Sequence, residues 1–471
     1  MRTAYENRNL GHGFGDARIH RRFKAICAKL EQGLNATIPQ LCHKRSSAKS
    51  FYRFFDNKAV NTQKMLRDHR DEIEACLACI DSNRPLQVSD SSELDFTGKK
   101  GGPKLGSLNY KHQRGMLVHN SLLLSDGGLP LGLLWQSYVV RKDEDFGKSA
   151  ERRYLPIEEK ESYRWLEHFK QGQAWLENEH TKNPDLELVY VADSEADILE
   201  LFQLRNNTHM HLLVRSKHDR ALAANGEDAQ LYSRLDGQPL QGSYVASIAD
   251  PATQKVRQAM LDVRYCPLQL TRRRKSKHEN NLPVVELNAL QIKEKNPPPD
   301  VEPIKWVLLT TLPILCLEDA LQIIEYYLLR WLIERFHYLM KSGGAEVEKL
   351  QLQTAHRLQN AITTYSIATF KAFKLRYWAE NSPQSTIRQA GISETEHKVL
   401  YTYAHQKVDK KITYDPKAPP TIAHYCKTLG QIGGFFPSKR QELPGLKIIS
   451  RALSTLQNLV DAYLILCQRT E

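Results

Sequence analysis

The chain has 471 residues, of which 41% are hydrophobic and 25% charged, and 66 Lys and Arg outweigh 54 Asp and Glu to give a net charge of +12. That composition is ordinary for a globular protein and excludes a disordered acidic chain. The basic excess points toward a polyanionic partner. The eight cysteines are scattered, so a disulfide framework is not expected. The opening residues carry no apolar signal core, and no stretch of 18 or more residues is apolar enough to span a bilayer. The expectation is a reduced, soluble, intracellular protein.

Residues 1–75 form the first segment and carry 15 Lys and Arg against 8 Asp and Glu. Asp16 can cap a helix beginning at Ala17. Arg18, Arg21 and Arg22 then give a basic stripe, and Phe23 and Ile26 an apolar one. SFYRFFDN (50–57) is a second compact segment that mixes apolar and basic residues. Short helices with basic faces are a common way to hold a DNA duplex.

An α/β pattern follows from about residue 80. PLQVSD (85–90), MLVHNSLLLS (116–125) and LGLLWQSYVV (131–140) read as strands, the last two joined by a DGGLP turn. Residues 158–179 predict an amphipathic helix, and LELVYVAD (186–193) a strand that runs into a helix at SEADILELF. Residues 205–303 read as a β-rich insertion whose loop TRRRKSKH (271–278) is the densest basic run in the chain. The α/β pattern resumes at IKWVLLTTL (304–312). A single long helix is predicted over 317–342, and the chain reads as helical from about 345 to the end. Cys76 and Cys79 are expected as one helical turn of buried cysteines rather than a zinc half-site, and His119 as a satisfied strand histidine.

The 317–342 helix carries the most chemical information. With Tyr327 at zero and about 100° per residue, Arg330, Glu334 and Lys341 fall within about 60° on one side, and Trp331 and Tyr338 within about 40° on the other. Leu328, Leu332, Ile333, Phe336, Leu339 and Met340 take the opposite, core-facing side. Asp90 and Asp193 each close an apolar strand, where carboxylates project into the crevice in which α/β folds place their sites. A third carboxylate from a packed helix would complete an oxygen cage suited to Mg²⁺. A strand-end Asp alone is commonly a turn or cap residue, and Glu195 and Asp197 compete with Asp193 for the role.

Taken together, Tyr327, Arg330, Glu334 and Lys341, in the spacing Y-x2-R-x3-E-x6-K, resemble the signature of the insertion-sequence-four family of bacterial DDE transposases, closest to the transposon-five type. DSEAD (193–197), VSDSSELDF (88–96), IKWVLL (304–309), FGDARIHRR (14–22) and GGFF (433–436) match further segments, in order, over nearly the whole chain. The resemblance implies an α/β, RNase H-like catalytic core, a mixed sheet flanked by helices, at 80–204 and 304–370. The β-rich insertion interrupts that core at 205–303. A helical DNA-binding domain at 1–75 and a helical, dimerising domain at 371–471 flank it. It implies that Asp90, Asp193 and Glu334 hold two Mg²⁺ ions, for which Mn²⁺ can substitute. Tyr327, Arg330 and Lys341 would hold phosphates, Trp306 would stack on a flipped base and Trp331 would help displace it, and Arg215 and Lys217 would contact the transposon end.

The implied partners are double-stranded DNA, as transposon ends and as target, and a second copy of the chain in a homodimeric paired-end complex. The implied place is the bacterial cytoplasm, at the nucleoid, with no membrane. Two departures stand out: Ser194 replaces the Arg of the family's D-R-E-A-D, and Met116 and Leu117 stand where the transposon-five type has a Trp pair. An end-binding inhibitor that does not cut, and a structure-specific RNase H-like nuclease, are the competing readings.

Overall fold

The computed structural model describes residues 13–467 apart from 43, 81, 149–150, 152–153, 205–208, 224–229, 250–255, 271–283, 300, 389 and 440. The basic loop at 271–278 lies outside the described residues. Helices α1 (Ala17–Glu31), α2 (Ile38–Cys42), α3 (Arg45–Asp56) and α4 (Thr62–Leu77) precede β1 (Leu86–Asp95), β2 (Gly106–Ser107), β3 (Arg114–Leu124) and β4 (Pro130–Val139). Next come α5 (Tyr163–Glu179), β5 (Leu188–Ala192), α6 (Leu199–Gln203), β6 (Met210–Arg215) and α7 (Leu231–Asp236). Strands β7 (Gly242–Ala249), β8 (Val256–Leu270), β9 (Val285–Lys295) and β10 (Lys305–Thr310) follow. The chain ends in α8 (Leu317–Leu328), α9 (Trp331–Tyr338), α10 (Ala355–Asn381), α11 (Glu394–Lys407), α12 (Ile422–Ile432) and α13 (Leu446–Cys467).

These elements divide into two compact units, cut differently from the five sequence segments. The first comprises Met1–Ser82, Ser91–Phe146 and Leu332–Glu471, and the second Asn83–Asp90 and Gly147–Trp331. In the second unit, the start of β1 runs parallel to β5 and β5 parallel to β6. β10, β9, β8 and β7 then add antiparallel, in that order. β5 is buried at every position, which is why LVYVA reads as an unbroken apolar run rather than an alternation. β6 falls inside the segment read from sequence as insertion. It is a core strand, and the antiparallel extension consists of β7, β8 and β9.

In the first unit, β3 pairs with β1, β2 and β4. A meander on one side of β1 and two parallel strands, β5 and β6, on the other is the strand order of an RNase H-like core. The 27-residue α10 is buried on most of its circumference and receives α1, α3, α4, α12 and α13. Asn360 on α10 donates to the Phe55 and Val60 carbonyls, at 3.0 and 3.3 Å. The N-terminal helices are therefore seated on α10 and are not a free-standing segment. Their own core is aromatic: Phe23 stacks on Phe54 at 6.0 Å, and Phe14 closes the cluster at 5.3 Å from Phe23.

Four expectations are corrected. The strand read as closing on Asp90 runs on to Asp95, so Asp90 lies midway along β1. The predicted 317–342 helix is broken. At Leu329 and Arg330 an Arg330 N–H to Tyr327 carbonyl bond of 3.1 Å tightens the turn, and Leu339–Gly343 then widens into a π turn. Residues on either side of these turns do not share one wheel, so Leu328, placed on the core side, is exposed, and Tyr327, placed on the functional face, is buried. Cys76 and Cys79 are not buried: α4 ends at Leu77, which leaves Cys76 half-buried and Cys79 exposed. The helix predicted over 158–179 starts later, at Tyr163.

Burial also sets a pH dependence. His168 on α5 is fully buried, and burial, with Arg164 nearby, pushes its pKa down to about 3. The folded state keeps this ring neutral, whereas the unfolded chain protonates it near 6.5. Stability should therefore fall as pH drops from about 6.5 toward 3, at up to about 1.4 kcal/mol per pH unit. Urea unfolding at pH 7 and pH 5 should show that loss in the wild type and a smaller one in His168→Gln. Equal losses would place the dependence elsewhere.

Candidate active site

Register places the first two acids side by side. Ser89 of β1 is level with Ala192 of β5, so Asp90, midway along β1, and Asp193, just past the end of β5, stand at the same height on neighbouring parallel strands. Adjacent strands lie about 4.8 Å apart. Asp193 caps the short turn Ser194–Ala196, its Oδ1 accepting from the Glu195 N–H at 2.8 Å. The buried Tyr190 hydroxyl donates to the Trp165 carbonyl at 3.1 Å. Burial raises its pKa, and Asp193 and Asp90 add to the rise, which puts both carboxylates within electrostatic reach of one phenol.

The structure separates Asp193 from its two competitors. Glu195 is engaged by the Arg164 guanidinium at 2.7 Å. Asp197 is buried and consumed by hydrogen bonds. Its Oδ2 accepts from Lys217 N at 2.8 Å, His218 N at 3.1 Å and Ser216 Oγ at 3.3 Å, and its Oδ1 from Arg220 Nε at 2.7 Å. Asp193 is half-buried at the end of its strand.

Cations and aromatics of the same unit surround the pair. Arg330 Nη1 is 3.8 Å from Asp90 Oδ2, and the guanidinium lies 5.8 Å from the centre of the Tyr327 ring. Burial raises the Tyr327 pKa, Arg330 and Arg215 oppose the rise, and Asp193 adds to it. Trp306, half-buried on β10, sits 6.1 Å from Tyr327, and Trp331 is 55% exposed. Arg215 ends β6, level with Leu308 of β10, and Lys217 follows it at the surface. The second unit thus brings together Asp90, Asp193, Tyr327, Arg330, Arg215 and Trp306.

Glu334 and Lys341 belong to the first unit. Glu334 is half-buried on α9. Lys341, in the π turn, donates to the Glu93 carbonyl at 2.8 Å and lies 3.5 Å from Glu348. Met116 and Leu117 are buried in β3, and His119 pairs with Ser91 Oγ at 2.8 Å. Arg18, Arg21 and Arg22 are exposed along α1, Arg18 beside Asp16 at 3.1 Å. One basic face was missed: α3 exposes Arg45, Lys49, Tyr52 and Arg53 at i, i+4, i+7 and i+8, while Phe51, Phe54 and Phe55 are buried. The alternation within SFYRFFDN was its signal. Cavities of about 620 and 1160 Å³ beside Trp378 in this unit hold none of these residues.

Among the described residues, no three His, Cys, Asp or Glu side chains form a group close enough to hold a metal ion. Asp90 and Asp193 do supply two hard carboxylate donors level with each other on neighbouring strands, a donor type that suits Mg²⁺ or Mn²⁺ and keeps other positions for water and phosphate oxygens. The residues present therefore fit a divalent ion as a partial shell.

Residues 1–60 match the sequence family described as transposase DNA-binding. The chain also aligns with a solved structure described as the cryo-EM structure of piggyBac transposase synaptic complex with hairpin DNA. That alignment has 10% identity and a TM-score of 0.30, over 84% of this chain and 75% of that one. Nothing about the chemistry of this chain follows from a likeness that slight. No described helix is long and apolar enough to cross a membrane.

Proposed function

We propose that the chain is a DNA transposase of the two-metal type. It binds the terminal inverted repeats of its own insertion sequence and catalyses strand cleavage and strand transfer. The observation that carries this reading is the level placement of Asp90, midway along β1, and Asp193, at the end of the neighbouring β5, with Arg215, Arg330 and Tyr327 beside them. It stands in a chain whose first 60 residues match a transposase DNA-binding family.

Asp90 and Asp193 would hold the ion, and the motif adds Glu334 as a third ligand. A divalent ion bound there activates water or a 3′-OH and stabilises the leaving oxygen. Arg215 and Arg330 orient the scissile phosphate, since guanidinium forks match phosphate oxygens. Tyr327 backs them with a buried phenol, and Trp306 offers a stacking face worth about 1–3 kcal/mol per base. The exposed cations of α1 and α3 grip the duplex. Leu464, Ile465 and Leu466, exposed near the end of α13, support a second copy as partner.

The test is incubation of the protein with DNA carrying the inverted repeats that flank its reading frame, with Mg²⁺ or Mn²⁺. Nicking at the repeat terminus, followed by joining to a second duplex, is the expected result. Tight, sequence-specific binding with no cleavage in either metal would make it an end-binding protein. Equal cleavage of branched DNA without the repeats would make it a structure-specific nuclease.

A further inference from the structure

We propose that Asp197 is a positioning residue that locks the Ser216–Arg220 turn, which leaves β6 at Arg215, to the Asp193 turn, so that the phosphate-gripping Arg215 and the metal-holding carboxylate keep a fixed separation. The inference rests on the proposed role of Asp193.

A carboxylate buried without partners is expensive, and it persists in a core only when donors satisfy it. The Asp197 side chain is fully buried, and its two oxygens receive four donors, all from residues 216–220. Two of the four are consecutive backbone N–H groups, those of Lys217 and His218, which form a small anion-binding concavity around Oδ2. Arg220 adds a second bond, to the Asp197 carbonyl. The turn so held is also tied at its start, where Ser216 N–H donates to the Val307 carbonyl of β10 at 2.7 Å.

The other end of the Asp193 turn is equally fixed. Asp193 accepts from Glu195 N–H, Ala196 N–H donates back to the Asp193 carbonyl at 3.2 Å, and Asp197 N–H donates to the Ser194 carbonyl at 3.4 Å. Five residues thus carry a strand-end acid at one end and an acid locked into the exit of the neighbouring strand at the other. The backbone of Lys217 is held directly by this carboxylate, and Arg215, which ends β6 against Leu308 of β10, leads straight into the held turn. Asp197 touches neither metal nor DNA in this scheme and acts through the residues it holds.

The experiment uses the full-length chain with end DNA and Mn²⁺. Asp197→Asn keeps the shape and one acceptor oxygen but removes the charge that holds Arg220. At a temperature where it is fully folded by circular dichroism, its half-saturating Mn²⁺ concentration, measured calorimetrically on the DNA-bound protein, should rise at least about fivefold. Its end affinity should weaken by a similar factor. Arg220→Lys, a milder change should the first variant not fold, should shift both in the same direction by less. A lowered melting temperature with unchanged Mn²⁺ half-saturation and end affinity would overturn the proposal. Wild-type protein that binds ends but takes up no Mn²⁺ would instead overturn the assignment of Asp193.

Discussion

Asp193→Asn and Asp90→Asn should each lose at least about a hundredfold in end cleavage, a barrier increase of about 2.7 kcal/mol, while end binding stays within about threefold. The substitutions suit the question because Asn preserves much else. At Asp193 the residue also caps Ser194–Ala196 through its Oδ1, and an Asn side chain caps as well as Asp does. The turn should keep its shape and lose only its charge. At Asp90 the charge faces Arg330 at 3.8 Å, so Asn there releases a guanidinium that can still reach a phosphate. Metal sites supply several kcal/mol of transition-state stabilisation through charge, which neutral amides do not replace. Glu334→Gln should match both if α9 supplies the third ligand. Gel separation of end-labelled substrate measures the rate, and a mobility shift in Ca²⁺ measures binding. Cleavage at the wild-type rate in Asp193→Asn would move the chemistry away from this pair of acids.

The two strands were legible because their signal is local. An apolar run ending on a carboxylate marks the end of β5 before Asp193. β1, however, runs on past Asp90 to Asp95 through the polar stretch SSELD, and the parallel register of β1 with β5 puts the two acids level. The choice among Asp193, Glu195 and Asp197 was not legible, because it depends on partners far along the chain: Arg164 for Glu195, and residues 216–220 for Asp197. The wheel drawn through Tyr327 and Lys341 failed for a different reason. No Gly or Pro marks the tightened turn at Leu329 and Arg330, so periodicity reads straight through it. The π turn that carries Lys341 ends on Gly343, with Gly344 after it, where a side chain would meet Tyr338 and Ser450 at 2.7 Å, but paired glycines in sequence signal only an end. Lys341, read as a phosphate contact, is tied to Glu93 and Glu348 by distances no spacing encodes.

The second large effect belongs to α3. Its exposed face carries three cations, Arg45, Lys49 and Arg53, with Tyr52 among them. The apolar face behind is fixed by Phe51, Phe54 and Phe55, and Phe54 is locked between Phe23 and Phe55. A rigid helix that presents spaced cations pre-organises its grip on phosphates without ordering a loop on binding. Neutralising all three as Arg45→Gln, Lys49→Gln and Arg53→Gln should leave the aromatic core and the melting temperature nearly unchanged. Charge-assisted hydrogen bonds contribute about 1.5 kcal/mol or more each, so end affinity should fall by roughly three decades at low salt. The plot of log affinity against log salt should flatten by about 2.7, or roughly 0.9 for each phosphate no longer neutralised. A weaker affinity with an unchanged salt slope would mean that these residues shape the domain rather than grip the backbone. The same substitutions on α1, at Arg18, Arg21 and Arg22, offer an internal comparison, since Arg18 is already partnered by Asp16. The helix whose neutralisation flattens the slope more is the one seated against the phosphates.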